Sequence, residues 1–462
     1  MSTYKKLSRI NCSAPALFAW HERPGALERL TPPWMGLKSV SATHGLYPGS
    51  RVRVNLSVMG LPLAMEAEHL EYRPPHMFKD RLVRSPFSKW THTHGFADLE
   101  DGTSALEDSI RYAFPFYFTG GMKKLADQEV ARMFEFRHRV TREDIDRHRA
   151  CPGSLTVLVS GAGGVIGGQL CYFLTTGGHR VVRLVRRRPR PGGDEIFWDP
   201  TLGQLDLRAA GPIDAVVNLN GNPIFSRWWT RKRRGEIIQS RTDSTRTLAL
   251  ALAGLASPPE VFISASAVGY YGETGDRVVT EASPQGSLFI SEVCQEWERA
   301  AAPAAAAGIR TVFGRIGVAL TPGGGALAQL LPAFHLGLGA RIANGGQYMS
   351  WISMDDLLYS LYHAICTPTL EGALNLVSPA PVTNIDFTRA LAAVLGRPAP
   401  FVIPGGAVDL LWGKRGREVL LASTRVMPEK LLASGFRFRH PGLSDALGAA
   451  LGIFDTELTN CG

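Results

Sequence analysis

The sequence predicts an α/β protein: a doubly wound parallel sheet with a C-terminal extension, preceded by an α+β unit of antiparallel strands around one long helix. Three observations predict it. A glycine-rich turn joins a β-branched run to a helical pattern at 155–174; strands and helices alternate from 154 onward; and the first 150 residues instead carry alternating, proline-punctuated segments. At 462 residues the chain is too long for one ordinary domain, and boundaries are expected at 1–150, 154–410 and 411–462.

In the first unit, Arg51-Val-Arg-Val-Asn-Leu-Ser-Val58 and Ala64-Met-Glu-Ala-Glu-His-Leu-Glu-Tyr72 alternate apolar and polar residues, the pattern of half-buried strands. Turns are expected at Pro32-Pro33, Pro62, Pro74-Pro75 and Pro86. Met122, Leu125, Ala126, Val130, Met133 and Phe134 share one stripe of a long helix. Thr141-Arg-Glu-Asp144 has the composition of a helix start, and Arg149-Ala-Cys-Pro-Gly153 that of a linker.

Strands of the second unit are expected at 155–160, 180–185, 213–219, 260–265, 310–316 and 373–377. The first of them runs into Gly161-Ala162-Gly163-Gly164-Val165-Ile166-Gly167 and then the helical pattern 169–174. Glycines at 161, 164 and 167 suit, in turn, a tight turn, close backbone approach to a pyrophosphate, and close helix–strand packing. The helix N-terminus then offers free N–H groups and a positive dipole end to phosphates, so the unit reads as a dinucleotide-binding Rossmann sheet. After the second strand an NAD-specific site places a carboxylate for the ribose 2′-hydroxyl. This chain has Arg186, followed by Arg187 and Arg188, and a guanidinium pairs with a 2′-phosphate that a carboxylate would repel. The expected cofactor is NADP(H).

The net charge of +9 comes partly from Arg186-Arg187-Arg188-Pro189-Arg190 and Arg231-Lys232-Arg233-Arg234. Neither cluster has interleaved aromatics or a nucleic-acid motif, so no nucleic-acid partner is expected. Six cysteines (12, 151, 171, 294, 366, 461) contain no CxxC pair, which argues against a zinc finger or disulfide framework. With no signal peptide and no apolar run long enough to span a bilayer, a cytoplasmic protein without a transmembrane segment is expected.

Several motifs in order, Asn218-Leu-Asn-Gly221-Asn-Pro223, Ser240-Arg241, Ser264-Ala-Ser266-Ala-Val-Gly-Tyr270-Tyr271-Gly272, Gly323-Gly-Gly-Ala326, Trp351-Ile-Ser-Met-Asp355-Asp356-Leu and the tail Arg425-Val-Met-Pro-Glu-Lys-Leu-Leu432, resemble the SDR39U1-like epimerase family of atypical extended short-chain dehydrogenase/reductases. The resemblance implies that Leu219, Asn220 and Gly221 pass the adenosine-ribose side of the cofactor. It also implies that Glu236 and Arg241 sit beside it and that Arg315 to Ala319 lie near its nicotinamide end. Asn220 departs from the alanine usual in Asn-Leu-Ala-Gly. Short-chain dehydrogenases move a proton with a Tyr activated by a Lys four residues on. Here no tyrosine has Lys at +4, and Phe289 and Val293 occupy the corresponding slots. Ser266, Tyr270 and Tyr271 are the remaining catalytic candidates; without a cationic neighbour the phenols should titrate near ~10. Glu292 and Glu296 read as a solvated helix face. The expected function is that of an oxidoreductase or epimerase, with a non-catalytic NADP(H)- and ligand-responsive regulator as the rival reading.

Residues 4–150 resemble the SRPBCC superfamily of START-like helix-grip domains in Pro15-Ala-Leu-Phe18-Ala-Trp20-His21, Pro86-Phe-Ser-Lys-Trp90-Thr-His92-Thr-His94-Gly-Phe96, Asp108-Ser-Ile-Arg-Tyr112 and Met133-Phe134-Glu-Phe-Arg137-His138. This resemblance implies a cavity for a small apolar ligand. His92 and His94, two apart on a strand, point to one face, but with His76 no third metal ligand is fixed by spacing. Hydrogen-bonded or cavity-lining histidines, and no metal, are expected; Trp20, Trp34 and Trp90 are expected in the core.

Overall fold

Period-two burial governs the first unit. In the computed structural model, which describes residues 1–43, 45–58, 60–115, 120–225 and 228–453, Met1–Gly153 form the body of one compact unit. Ser154–Cys171 and His179–Ala450 form a second. Among the described residues Cys12, Cys151, Cys171, Cys294 and Cys366 form no disulfide, while Cys461 lies outside the described residues.

The first unit holds a seven-stranded antiparallel sheet in the order Ser2–Ile10, Ser104–Ala113, Lys89–Asp98, Met77–Arg84, Leu61–Arg73, Arg51–Val58, Ser39–Ala42. Trp90, His92, His94 and Phe96 alternate inward from one strand, and Leu106, Asp108, Ile110 and Tyr112 from its neighbour. The inner face therefore reads apolar, polar, apolar. Trp90, Ile110, Tyr112, Val130 and Phe134 pack at one end; Phe18, Trp20, Phe78, Phe96, Leu106, Phe136 and Val140 pack at the other. Between them lie buried His and Asp side chains.

One helix, Gly120–His148, supplies the opposing wall. Two expectations about it are corrected. Met122 and Leu125 are 51% and 64% exposed, so the apolar stripe becomes buried only from Val130. Thr141-Arg-Glu-Asp144 lies inside the helix rather than at a start, because the fully buried Asp144 carboxylate is held bidentately by Arg29 at 2.8 and 2.9 Å.

The second unit contains an eight-stranded sheet ordered Gln204–Leu205, Glu195–Asp199, Arg180–Val185, Thr156–Ser160, Ala215–Asn218, Val261–Ala267, Arg310–Ile316, Gly372–Leu376. All pairs are parallel except the first. The Glu195–Asp199 strand and its short partner were not expected; the Ile-Phe-Trp run is short and is followed at once by Pro200. The tail is woven in rather than appended: Arg425–Val426 pairs with Val278–Val279, and Val426 packs with Tyr271, Val279 and Val377. Among the described residues no helix is long and apolar enough to cross a membrane.

The Arg231–Ala253 helix, which carries several candidate site residues, starts at Thr230, whose hydroxyl accepts from the Arg233 N–H at 3.1 Å. Thr230→Ala should cost about 1 kcal/mol in urea unfolding, while Thr230→Ser should recover most of it.

Candidate functional site

Strand order reverses between Thr156–Ser160 and Ala215–Asn218, so the loops leaving these two strands part and open a crevice at their carboxyl ends. One loop is the glycine turn; the other is Leu219-Asn220-Gly221. Gly161 has φ of +72°, and a Cβ there would lie 2.8 Å from the Leu219 carbonyl. A Cβ at Gly167 would lie 2.3 Å from the Gly161 carbonyl oxygen, so the Val165–Thr176 helix begins directly against the turn. Gly164 would approach the same oxygen at 3.2 Å, whereas at Gly163 a Cβ would meet nothing within 4 Å. Two of these glycines are thus required by the protein's own backbone. Gly163 and Gly164 are exposed, beside unsatisfied N–H groups of a helix N-terminus, and this arrangement suits a pyrophosphate.

Val165 is 43% exposed and Ile166 half-buried. A Cβ at Gly324 would fall 2.7 Å from a Val165 methyl, so the turn following the Val318–Leu320 strand, which carries Ala319, closes on this same helix end. On the other side a pocket of about 260 Å³ is lined by Arg186, Thr201, Asn220, Gly221, Glu236 and Ser240, among others. Of the arginine run, Arg187 is held by Glu195 at 2.6 and 2.8 Å. Arg186 is exposed, lines the pocket, and makes no hydrogen bond or ion pair among the described residues.

Arg241 is withdrawn from this pocket. It is buried beneath the Gly221-Asn222 turn, donates to the carbonyls of Ile237 and Asn222 at 3.0 Å each, and stacks on Trp297 at 4.9 Å. Burial brings its guanidinium down to about 10. It shapes the loop rather than lining the space. The pocket face of its helix consists instead of Glu236, Gln239, Ser240, Asp243 and Ser244, a three-to-four-residue spacing that the sequence displays and that helical periodicity would have found. Under the crevice, Ser160 donates to Asn218 at 2.6 Å and Asn218 to Thr245 at 2.8 Å. Asn220 donates back to the Asn218 oxygen at 3.3 Å, which gives the departure from alanine a local role.

Two of the catalytic candidates, Ser266 and Tyr271, belong to a buried polar chain. Ser266 donates to Glu298 at 2.7 Å, and Arg315 grips the same carboxylate with two bonds of 2.9 Å. Its third nitrogen donates to the Tyr271 hydroxyl at 2.9 Å, and that hydroxyl donates to Asn375 at 2.7 Å. The expectation that the phenols lack a cationic neighbour is therefore corrected. Arg315 lies 44 positions after Tyr271, beyond any local spacing rule. The cation does not activate this phenol: burial pushes Tyr271 up to about 12, against the lowering pull of Arg315 and Asn375. Tyr270 is half-buried, with the Arg315 guanidinium 3.4 Å from its ring centre. Phe289 and Val293 are buried in an apolar cluster with Ile237. Glu292 and Glu296 face outward, near Arg234 at 3.9 Å and paired with Arg299 at 2.6 Å. Glu298, the acid that anchors the chain, was not singled out from the sequence.

Comparison with known proteins identifies the family to which this sheet belongs. Residues 157–373 match the NAD dependent epimerase/dehydratase family, and 403–450 match a domain of unknown function (DUF1731). An epimerase family protein of Mycobacterium bovis is 43% identical over 296 residues, 64% of this chain and 97% of that protein. Human epimerase family protein SDR39U1, solved with NADPH, superposes with a TM-score of 0.60 at 34% identity, covering 64% of this chain and 99% of that one. A structure described as the nucleoside-diphosphate sugar epimerase from Corynebacterium glutamicum covers 97% of this chain and 90% of its own, with a TM-score of 0.79 and 30% identity.

Proposed function

Because the chain belongs to the SDR39U1-like epimerase family of NAD(P)-binding short-chain dehydrogenase/reductases, we propose that it binds NADP(H) in the crevice beside the glycine turn and acts as an oxidoreductase or epimerase on a small apolar molecule. The observation that carries the cofactor reading is Arg186, an exposed guanidinium at the pocket rim that makes no hydrogen bond or ion pair among the described residues. It would pair with the 2′-phosphate; Gly163, Gly164 and the following helix N-terminus would hold the pyrophosphate. Leu219, Asn220, Gly221 and Glu236 would flank the adenosine ribose, and Val165, Ile166 and Ala319 would border the nicotinamide end. The bound nicotinamide would supply hydride exchange. Tyr270 is the candidate proton donor, since Ser266 and Tyr271 are engaged within the buried chain. One 29-residue helix against an antiparallel sheet in the first unit supports the reading of an SRPBCC-like helix grip, which would capture the apolar substrate; the proposed setting is the cytoplasm.

Arg186→Asp should weaken NADPH binding about ten- to hundredfold, as a lost charge-assisted contact of about 1.5–3 kcal/mol implies, and leave NADH binding unchanged or improved. Unaltered selectivity in calorimetry would remove the 2′-phosphate assignment.

A second reading is favoured by Phe289 and Val293: neither can move a proton, and both are buried where the dyad would stand. In this reading the protein is an NADP(H)- and ligand-responsive regulator. A carbonyl substrate that consumes NADPH would decide for the enzyme; tight binding with no consumption across a panel of apolar carbonyls would decide for the regulator.

A further inference from the structure

The polar centre of the first unit's sheet contains an arrangement that hydrogen bonding alone does not explain. Asp80, His92 and His94 are buried and present one donor atom each within 4.8 Å of the others. The Asp80 Oδ2 atom lies 3.7 Å from His92 Nδ1 and 3.6 Å from His94 Nε2. These separations are too long for hydrogen bonds. They are close to the edge of a coordination tetrahedron, about 3.3–3.5 Å for ligands about 2.0–2.1 Å from one ion.

The remaining ring nitrogens support the same assignment. His92 Nε2 is 2.9 Å from Asp108 Oδ1, and His94 Nδ1 approaches that oxygen at 2.8 Å, off the hydrogen-bond axis. His138 Nε2 holds the other Asp108 oxygen at 2.9 Å. An imidazole that donates one N–H to a carboxylate presents a lone pair at its other nitrogen. For His92, which makes such a bond to Asp108, that lone pair at Nδ1 faces the Asp80 carboxylate, a meeting that a cation between them would relieve. A carboxylate behind a ligating histidine is also the usual outer support of a metal site. Cross-strand from Asp80, His69 has both ring nitrogens buried and without a hydrogen-bond partner. Its neighbourhood is therefore polar beyond what the protein satisfies.

We propose that Asp80, His92 and His94 bind one divalent transition-metal ion of the zinc or ferrous type, clamping two adjacent strands of the sheet at its buried centre. Two imidazoles and one carboxylate are a borderline N/O donor set, which favours such ions over calcium or magnesium. This departs from the sequence expectation of no metal. His76, the third ligand considered there, is exposed on the turn before the Asp80 strand, and Asp80 takes its place through cross-strand pairing with His92.

The test uses the untagged full-length chain, expressed with added zinc and iron and analysed for metal, then stripped with chelator and titrated with Co²⁺. One equivalent of zinc or iron as purified, and uptake of one Co²⁺ with visible ligand-field bands, would support the site. Asp80→Asn and His94→Gln should each lower metal affinity at least tenfold. Less than a tenth of an equivalent in wild-type protein together with no visible Co²⁺ bands would overturn it, as would wild-type metal content in the Asp80→Asn/His94→Gln double variant. The Co²⁺ spectrum of the wild-type chain keeps the test decisive if a variant fails to fold.

Discussion

Arg315→Met is expected to destabilise the chain by about 3–5 kcal/mol, because it leaves the Glu298 carboxylate uncompensated in a site where its side chain is 12% exposed. The substitution also removes a donor from the Tyr271 hydroxyl and strips the cation from the Tyr270 ring. Pairing it with Glu298→Gln should recover part of the loss, since a neutral amide tolerates burial beside methionine better than an unpaired carboxylate does. Urea unfolding of both single variants and the double variant measures the coupling. Additive losses would show that the pair contributes nothing beyond two independent surface-like charges.

Gly163→Val and Gly167→Ala are expected to part company. At Gly167 a Cβ would lie 2.3 Å from the Gly161 oxygen, so the helix must retreat from the turn, at a cost of about 1–3 kcal/mol for an overpacked contact. At Gly163 nothing in the protein stands within 4 Å of an added Cβ, and stability should stay within about 0.5 kcal/mol. Yet if the pyrophosphate lies over this exposed backbone, the Gly163→Val isopropyl group takes its place, and dinucleotide affinity should fall at least a hundredfold. Thermal melts beside cofactor titrations separate the two effects. A Gly163→Val chain that folds and binds normally would move the phosphates elsewhere.

The parallel sheet was legible because its signals are local. Each strand is a short β-branched run, and the glycine spacing reports contacts between residues three and six positions apart, Gly164 and Gly167 against the Gly161 carbonyl. The place of Arg186 at the pocket rim was legible for the same reason, lying just past the second strand, while its pairing with a 2′-phosphate is the proposal. What stayed hidden depends on distance. Glu298 and Arg315 meet across 17 positions, and Asp80 reaches His92 only through strand register. Arg29 turns Asp144, by composition a helix-start residue, into a buried anchor within a continuous helix. Arg241 was placed beside the cofactor by its motif, but motif order carries no information about which face of a helix meets the loop.

Calorimetric titration of the full-length chain with NADPH, NADP⁺, NADH and NAD⁺ tests the central claim most directly. The account expects micromolar binding of the two phosphorylated nucleotides, at least tenfold tighter than of the other two. Equal affinity for all four, or no binding of any, would contradict it.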